Sequence, residues 1–404
     1  MRVGILTGGG DAPGLNAVIY GALLKAFDAK DIEVVGIKKG WKAFDIPKEQ
    51  ITPDVVARFT EVLKIGDLDD LHTKGGTILY STRTNPFKAV AKCKTEEEKD
   101  AVRKKVGEDL ASKMALFGLD ALIAVGGDDT CGVAAAMYKY SKANVVACPK
   151  TIDNDLAGTD YTFGFFSAAQ AAMVSLENLT TTAHSHQRIF VVEVMGRDAG
   201  WLTLFSGLGS GADIILLPET PFDFNRHVIE QLKKRVKAGY KYHMIACSEG
   251  AYPTKESLDR DFKTINQKTI DDLPKDAFGN PKLNHLNMAS VIEKELSKCK
   301  ELAEICEKAD VEFEVRSAVL GHTMRSGHPN VFDRVLGLRF GWHAMNYVIN
   351  KNWGKMTSLA GTEIVPVDIV KGAGKKYIDP KSDLVEIAHT MTSVEHKSKE
   401  KLFM

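Results

Sequence analysis

Short apolar runs recur along the chain, and most stop abruptly in glycine and polar residues before a helical pattern begins. The first covers residues 3–7 and stops at Gly8-Gly9-Gly10-Asp11-Ala12-Pro13-Gly14-Leu15-Asn16, after which a helical pattern lasts to about Ala29. Residues 32–38 form the next run. Residues 121–125 end at Gly126-Gly127-Asp128-Asp129-Thr130, ahead of a small-residue helix over 132–140, and residues 145–148 end at Pro149-Lys150-Thr151-Ile152-Asp153-Asn154-Asp155. Residues 189–194 run into Met195-Gly196-Arg197-Asp198-Ala199-Gly200, 212–217 into Pro218-Glu219, 243–247 into Ser248-Glu249-Gly250, and 317–320 into a loop that carries His322 and Arg325. Helices are predicted over 163–183, over 288–309 with Val291, Ile292, Leu296, Leu302, Ile305 and Cys306 on one face, and over 331–349. A last strand is predicted over 364–370. The charges spaced along 95–113 predict a solvated outer helix. Such regular alternation predicts an α/β protein with mainly parallel sheets and crossover helices. Residues 251–287 break the pattern: rich in charge, Pro and Gly (Pro274, Gly279, Pro281), they read as an insertion at a lobe edge.

With 404 residues, 44% of them hydrophobic, the chain can bury a large core, and its length suggests two or three lobes. Lys plus Arg equals Asp plus Glu at 53 each, so no bulk field draws the protein to nucleic acid or to an anionic membrane. Any polyanion site must be local. The six cysteines include no C-x-x-C pair and read as buried free thiols of a reducing compartment. No apolar run approaches the ~20 residues that a membrane span needs. A soluble, cytoplasmic protein without membrane or nucleic-acid partners is expected.

Open α/β sheets bind ligands outside the carboxyl ends of their strands, which places the polar stretches on crevice rims. At Gly126-Gly127 a backbone can approach an oxyanion closely, and the helix that opens near Thr130 supplies free N–H groups and a positive dipole end. Phosphate is the natural guest. Four nearby carboxylates (Asp128, Asp129, Asp153, Asp155) would repel a bare phosphate, so the site needs a cation, and hard carboxylate and phosphate oxygens suit Mg²⁺. Asp153 and Asp155 are both candidates for a base. The triple glycine at 8–10 matches neither G-x-G-x-x-G nor G-x-x-x-x-G-K-[ST], which disfavours a nicotinamide turn and a P-loop. Arg83 ends another apolar run (75–86) and, from that segment alone, reads as a solvated surface arginine. His184 and His186 lack a third ligand nearby, so no zinc site is expected.

Taken together, the motifs at 8–16, 75–83, 126–130, 149–155, 186–200, 248–250 and 316–334 resemble those of the phosphofructokinase family, in the family's order and over residues 4 to about 341. The resemblance implies two doubly wound lobes with an active site in the cleft between them: a phosphoryl-donor lobe over 1–155, a sugar-phosphate lobe over 156–340 with the insertion at about 251–287, and a segment over 341–404 packing back on the lobes. It implies phosphoryl transfer to the 1-hydroxyl of fructose 6-phosphate. Asp153 then resembles the general base, with Thr151 and Asp155 positioning substrate and metal and Asp128 holding Mg²⁺. Gly10, Gly127 and Thr130 resemble donor contacts, and Arg83 resembles a cation over the transferring group. Met195, Gly196, Arg197, Glu249, His322 and Arg325 resemble the sugar-phosphate pocket. Arg188 and Arg316 resemble residues that reach it from a neighbouring subunit, which implies a homodimer or larger homo-oligomer.

Asp129 and Lys150 depart from the ATP-using members, which have Gly at the first position, and the bacterial ones usually at the second. The pair looks like the pyrophosphate-dependent subfamily. A carboxylate at 129 puts charge where the α-phosphate of ATP would lie, at a cost of several kcal/mol if unpaired in a partly dry site. Lys150 can instead balance a compact pyrophosphate. An ATP-dependent 6-phosphofructokinase is the nearest alternative, and a kinase of another family or a silent sugar-phosphate sensor is further off.

Overall fold

A computed structural model of the chain describes residues 1–29, 31–275 and 281–393. Residues Met1–Ala168 and Arg325–Lys376 form one compact unit, and the described residues of Ala169–Met324 with 377–393 form another. These bounds differ from the expected breaks at 155 and 340. The first unit runs on to the start of the helix Phe165–His186, and it takes back the helix Val331–Ile349 and two late strands.

The strands are β1 (Arg2–Thr7), β2 (Glu33–Ile37), β3 (Thr60–Leu63), β4 (Ala121–Gly126), β5 (Val145–Pro149), β6 (Ile189–Val194), β7 (Ile214–Leu216), β8 (His243–Ser248), β9 (Val315–Val319), β10 (Lys355–Ala360) and β11 (Glu363–Asp368). In the first unit they lie in the order β11-β10-β5-β4-β1-β2-β3. The five inner strands are parallel, and β3 and β11 pair antiparallel at the edges. Side-chain alternation sends Val3 and Ile5 of β1 to one face, where they meet Val18, Ile19, Phe340 and Ala344. Leu6 goes to the other face, with Leu110, Met114, Val133 and Met137. Apolar cover on both faces is what permits an all-parallel centre. The chain leaves β1 toward β2 on one side and later adds β4 and β5 on the other, so the order reverses between β1 and β4. Such a switch point opens a crevice at the strand ends.

The second unit holds a four-stranded parallel sheet in the order β7-β8-β6-β9. Its main core gathers Val191, Ile245 and Val315 with Leu232, Ile292 and Leu302. The predicted helix over 288–309 is two helices, Met288–Leu296 and Lys300–Lys308. At the break, the Ser297 hydroxyl donates to the Glu293 carbonyl at 2.8 Å, local bonding that competes with helix continuation. Residues 251–275 and 281–287 are more than an edge insertion. They include the helices Lys255–Asp261 and Gln267–Asp271, and Leu258, Phe262 and Ile265 are buried in the core. Gly279 and residues 394–404 lie outside the described residues. The run over 75–86 forms turns instead of a strand, with Leu79 buried in the core. All six cysteines are free. Among the described residues no helix is long and apolar enough to cross a membrane.

Candidate active site

The loops after β1 and β4 flank the switch point of the first unit and are fastened to each other. Gly8 donates its N–H to the Val125 carbonyl at 2.9 Å. A Cβ at Gly8 would lie 2.5 Å from Thr130 Oγ1, and one at Gly126 would lie 2.4 Å from Thr130 Cβ. Both turns therefore close on one threonine, which is buried. Thr130 acts as a peg for the two loops. Gly127 is the N-cap of the helix Asp128–Ser141 and brings no side-chain cap, and the positive dipole end of that helix favours an anion. Asp129 is exposed on that first turn, and Asp128 is half-buried.

Gly10 is flanked by two cations. Lys150, only 4% exposed, points its ammonium at the Gly10 carbonyl. Burial pushes its pKa down to about 8; the Arg325 guanidinium pushes the same way, and Asp153 opposes both. Arg325 donates from Nη1 to the Asp11 carbonyl at 3.0 Å, and a Cβ at Gly10 would lie 3.0 Å from the same nitrogen. The structure thus sets Arg325 beside the glycine loop of the first unit. Arg83 is exposed on a loop strapped to the same turn, where Gly9 N–H reaches the Thr82 carbonyl at 3.2 Å.

After β5, Thr151 and Asp153 form a tight turn in which Asp153 N–H donates to Thr151 Oγ1 at 3.0 Å and Thr162 Oγ1 donates to the Thr151 carbonyl at 2.7 Å. Asn154 takes a left-handed backbone, φ 50°, and its side chain accepts from Thr162 N–H at 3.2 Å. The turn is rigid, and it holds the Asp153 carboxyl half-buried at the strand end.

One lysine in this cluster was missed from sequence. Lys375 Nζ lies 3.0 Å from Asp128 Oδ2 and 2.8 Å from Asp155 Oδ2, joining the turns after β4 and β5. Burial opposes its charge, but Asp155 and Asp128 outweigh burial and hold the ammonium well above its ordinary pKa. Lys376 donates to Asn154 Oδ1, the Thr159 carbonyl and the Asp160 carbonyl at 3.1, 3.0 and 2.8 Å. Neither lysine sits at a strand end or in a periodic pattern. Only the small-residue stretch Gly372-Ala373-Gly374 before them hinted at a close backbone approach.

In the second unit the turns after β6 and β8 adjoin. Gly250 N–H donates to the Gly196 carbonyl at 3.1 Å, and Gly196 N–H points at Glu249 Oε1 at 3.4 Å. A Cβ at Gly250 would stand 1.9 Å from the Arg197 carbonyl, so only glycine fits. Met195, Gly196, Arg197 and Glu249 are thereby brought together; Arg197 is exposed and paired with Asp198 at 2.7 Å. His322 is exposed on the turn Gly321–Arg325. Arg188 and Arg316 lie elsewhere. Both pair with Glu314 at the amino end of β6 and β9, whereas Gly196 and Glu249 follow the carboxyl ends of β6 and β8.

The sequence model for phosphofructokinase matches residues 2–348. The chain belongs to the phosphofructokinase family. It is 40% identical over 383 residues to the pyrophosphate–fructose 6-phosphate 1-phosphotransferase of Amycolatopsis methanolica, covering 94% of this chain and 97% of the relative. It is 36% identical to the ATP-dependent 6-phosphofructokinase 2 of Streptomyces coelicolor, covering 96% and 98%. A solved pyrophosphate-dependent phosphofructokinase from Nitrosospira multiformis superposes with a TM-score of 0.66 at 17% identity, over 99% of this chain and 92% of that one. At that identity the likeness is one of fold. The family match ends at 348, so Lys375 and Lys376 lie beyond it.

Proposed function

We propose that this protein transfers a phosphoryl group reversibly from pyrophosphate to the 1-hydroxyl of fructose 6-phosphate, giving fructose 1,6-bisphosphate and phosphate. The observation that carries the choice of donor is Lys150, a buried cation held against Gly10. A buried ammonium is costly unless it meets an anion, and pyrophosphate seated on the glycine loops would meet it. Asp129, exposed on the first turn beside that loop, adds negative charge where a nucleotide's α-phosphate would extend. The names of several relatives at 36–40% identity support the same donor.

In this reading Asp153 accepts the proton of the sugar 1-hydroxyl as its oxygen attacks the near phosphorus of pyrophosphate, and the P–O bond to the departing phosphate breaks. Lys150 and Arg83 balance the charge that spreads over the transferring and leaving groups, where fixed cations contribute most. Mg²⁺ is commonly bound by one or two carboxylates plus substrate phosphates, and Asp128 and Asp155, joined by Lys375, offer such a pair. The ammonium of Lys375 between Asp128 and Asp155 supports a cation at this pair. Asp128 would hold the metal, which supplies neutralisation of the donor's charge.

Met195, Gly196, Arg197, Glu249 and His322 bind the sugar phosphate, with Arg325 at the glycine loop. Arg188 and Arg316, at the far end of the strands, serve a neighbouring subunit, so the active form is a homodimer or larger. The free cysteines fit a cytoplasmic enzyme. ATP dependence is the second reading, favoured by the Streptomyces relative's name. A paired assay of pyrophosphate and ATP, with fructose 6-phosphate and Mg²⁺, separates the two. Pyrophosphate is expected to support turnover and ATP to do so poorly, with Asp129→Gly improving the ATP reaction. A preference for ATP in the unmodified protein would establish the second reading.

A further inference from the structure

Lys375 is more than a surface ion pair. Its ammonium bonds carboxylates from two different turns, that of Asp128 at 3.0 Å and that of Asp155 at 2.8 Å. Asp155 is 9% exposed, so the charges meet in a part-desolvated place where Coulomb terms are strong. One ammonium bridges the two carboxylates directly, and that of Lys376, bonded to the 154–160 loop, stands within electrostatic reach of Asp155. A divalent ion would satisfy the pair better, and pyrophosphate would bring one.

The side chain can leave without disturbing the backbone that carries it, because that backbone is fastened independently. Lys376 N–H donates to the Asp155 carbonyl at 2.8 Å, Ala157 N–H to the Gly374 carbonyl at 2.8 Å, and Gly158 N–H to the Gly372 carbonyl at 3.2 Å. The Lys376 ammonium adds its three bonds to the loop at 154–160. Segment 372–376 is therefore a strap held by its own backbone bonds, from which the Lys375 side chain reaches the two carboxylates.

We propose that Lys375 is a positioning residue, a tethered cation that keeps the divalent-metal position at Asp128 and Asp155 until the donor arrives, so that metal enters with pyrophosphate instead of before it. The inference rests on the reading of the protein as a pyrophosphate-dependent enzyme with its metal at Asp128. Displaced by the metal, the ammonium turns to the oxygens of the bound donor, so the charge it gives up at the carboxylates is used on the substrate. Metal and pyrophosphate thus raise each other's affinity, and by linkage the two effects are equal.

Mn²⁺ binding, followed by the EPR signal of the free ion, tests this without turnover. In the absence of pyrophosphate, Lys375→Met should bind Mn²⁺ roughly tenfold or more tighter than the unmodified protein, the scale on which a nearby charge changes a carboxylate's affinity for a cation. Lys375→Arg, which keeps the charge, should stay close to the unmodified protein. Methylenediphosphonate, which cannot transfer its phosphoryl group, should tighten Mn²⁺ binding to the unmodified protein strongly and to Lys375→Met much less. If Lys375→Met does not fold, Lys375→Gln carries the same expectation. Unchanged or weaker Mn²⁺ binding in the uncharged variant, in a protein that does use pyrophosphate, overturns this inference alone. No turnover with pyrophosphate overturns the reading on which it rests.

Discussion

Lys150 loses its proton more readily than a lysine in water because water has been taken from it and Arg325 stands nearby. Its pKa near 8 means the donor-free protein carries the charge below pH 8 and gives it up as pH rises through that value. Bound pyrophosphate favours the charged form and moves the transition upward. The kcat/KM for pyrophosphate, which reports the free enzyme, should therefore fall above about pH 8, while kcat stays level to higher pH. A kcat/KM that stays level well past pH 8 would show that this charge does not govern donor capture. Lys150 was legible in sequence because it follows a buried strand in a dense polar cluster that packing alone does not explain. Lys375 was not, because its partners lie more than two hundred positions away and its own segment has no apolar run to mark it.

At the scale of elements, the helix Val331–Ile349 ties down the start of the helix Phe165–His186 through one carboxylate. Asp333, fully buried, accepts from Ser167 N–H at 2.7 Å and from Ser167 Oγ at 2.6 Å. Burial still outweighs these bonds and pushes its pKa up from 3.8 to about 6. The folded protein thus binds a proton here that the unfolded chain releases between pH 4 and 6. This group's contribution to stability is full below pH 4 and declines as pH rises to 6, by on the order of 2 to 3 kcal/mol. Asp333→Asn keeps an acceptor for Ser167 and removes the titration. The difference in urea-unfolding free energy between the two proteins should change over that pH range in the stated direction, and a constant difference would contradict it. The inner strands β1, β2, β4 and β5 and most long helices were legible because their apolar periodicity is unbroken. β10 escaped because Thr357 and Ser358 are buried in its middle, and β3 because most of it is an exposed edge.

At the scale of the whole molecule, Arg188 and Arg316 are the test of assembly. Both are gathered on Glu314, at the opposite end of the sheet from Gly196 and Glu249. Subunits with Arg188→Ala keep a working Asp153, and subunits with Asp153→Ala keep a working Arg188. Each should be nearly inactive alone, and a mixture should regain activity, toward about a quarter of the unmodified rate if dimers exchange freely. Exchanged mixtures that stay inactive would mean each subunit completes its own site. The two parallel sheets could be read from sequence, and β11 with them as the strand expected over 364–370, but β10, which joins it to the first sheet, could not. Those strands bear on how the protein is made. β10 and β11 cover β5, which is flanked on its other side by β4, so the nascent first unit emerges with an unpaired strand edge. More than two hundred residues must be translated before that edge is covered, roughly 20 s at about 10 residues per second. Over that interval all four strands of the second sheet become available, and the sheet that starts to leave the ribosome first is the later of the two to be completed, with an open strand exposed to other nascent chains meanwhile.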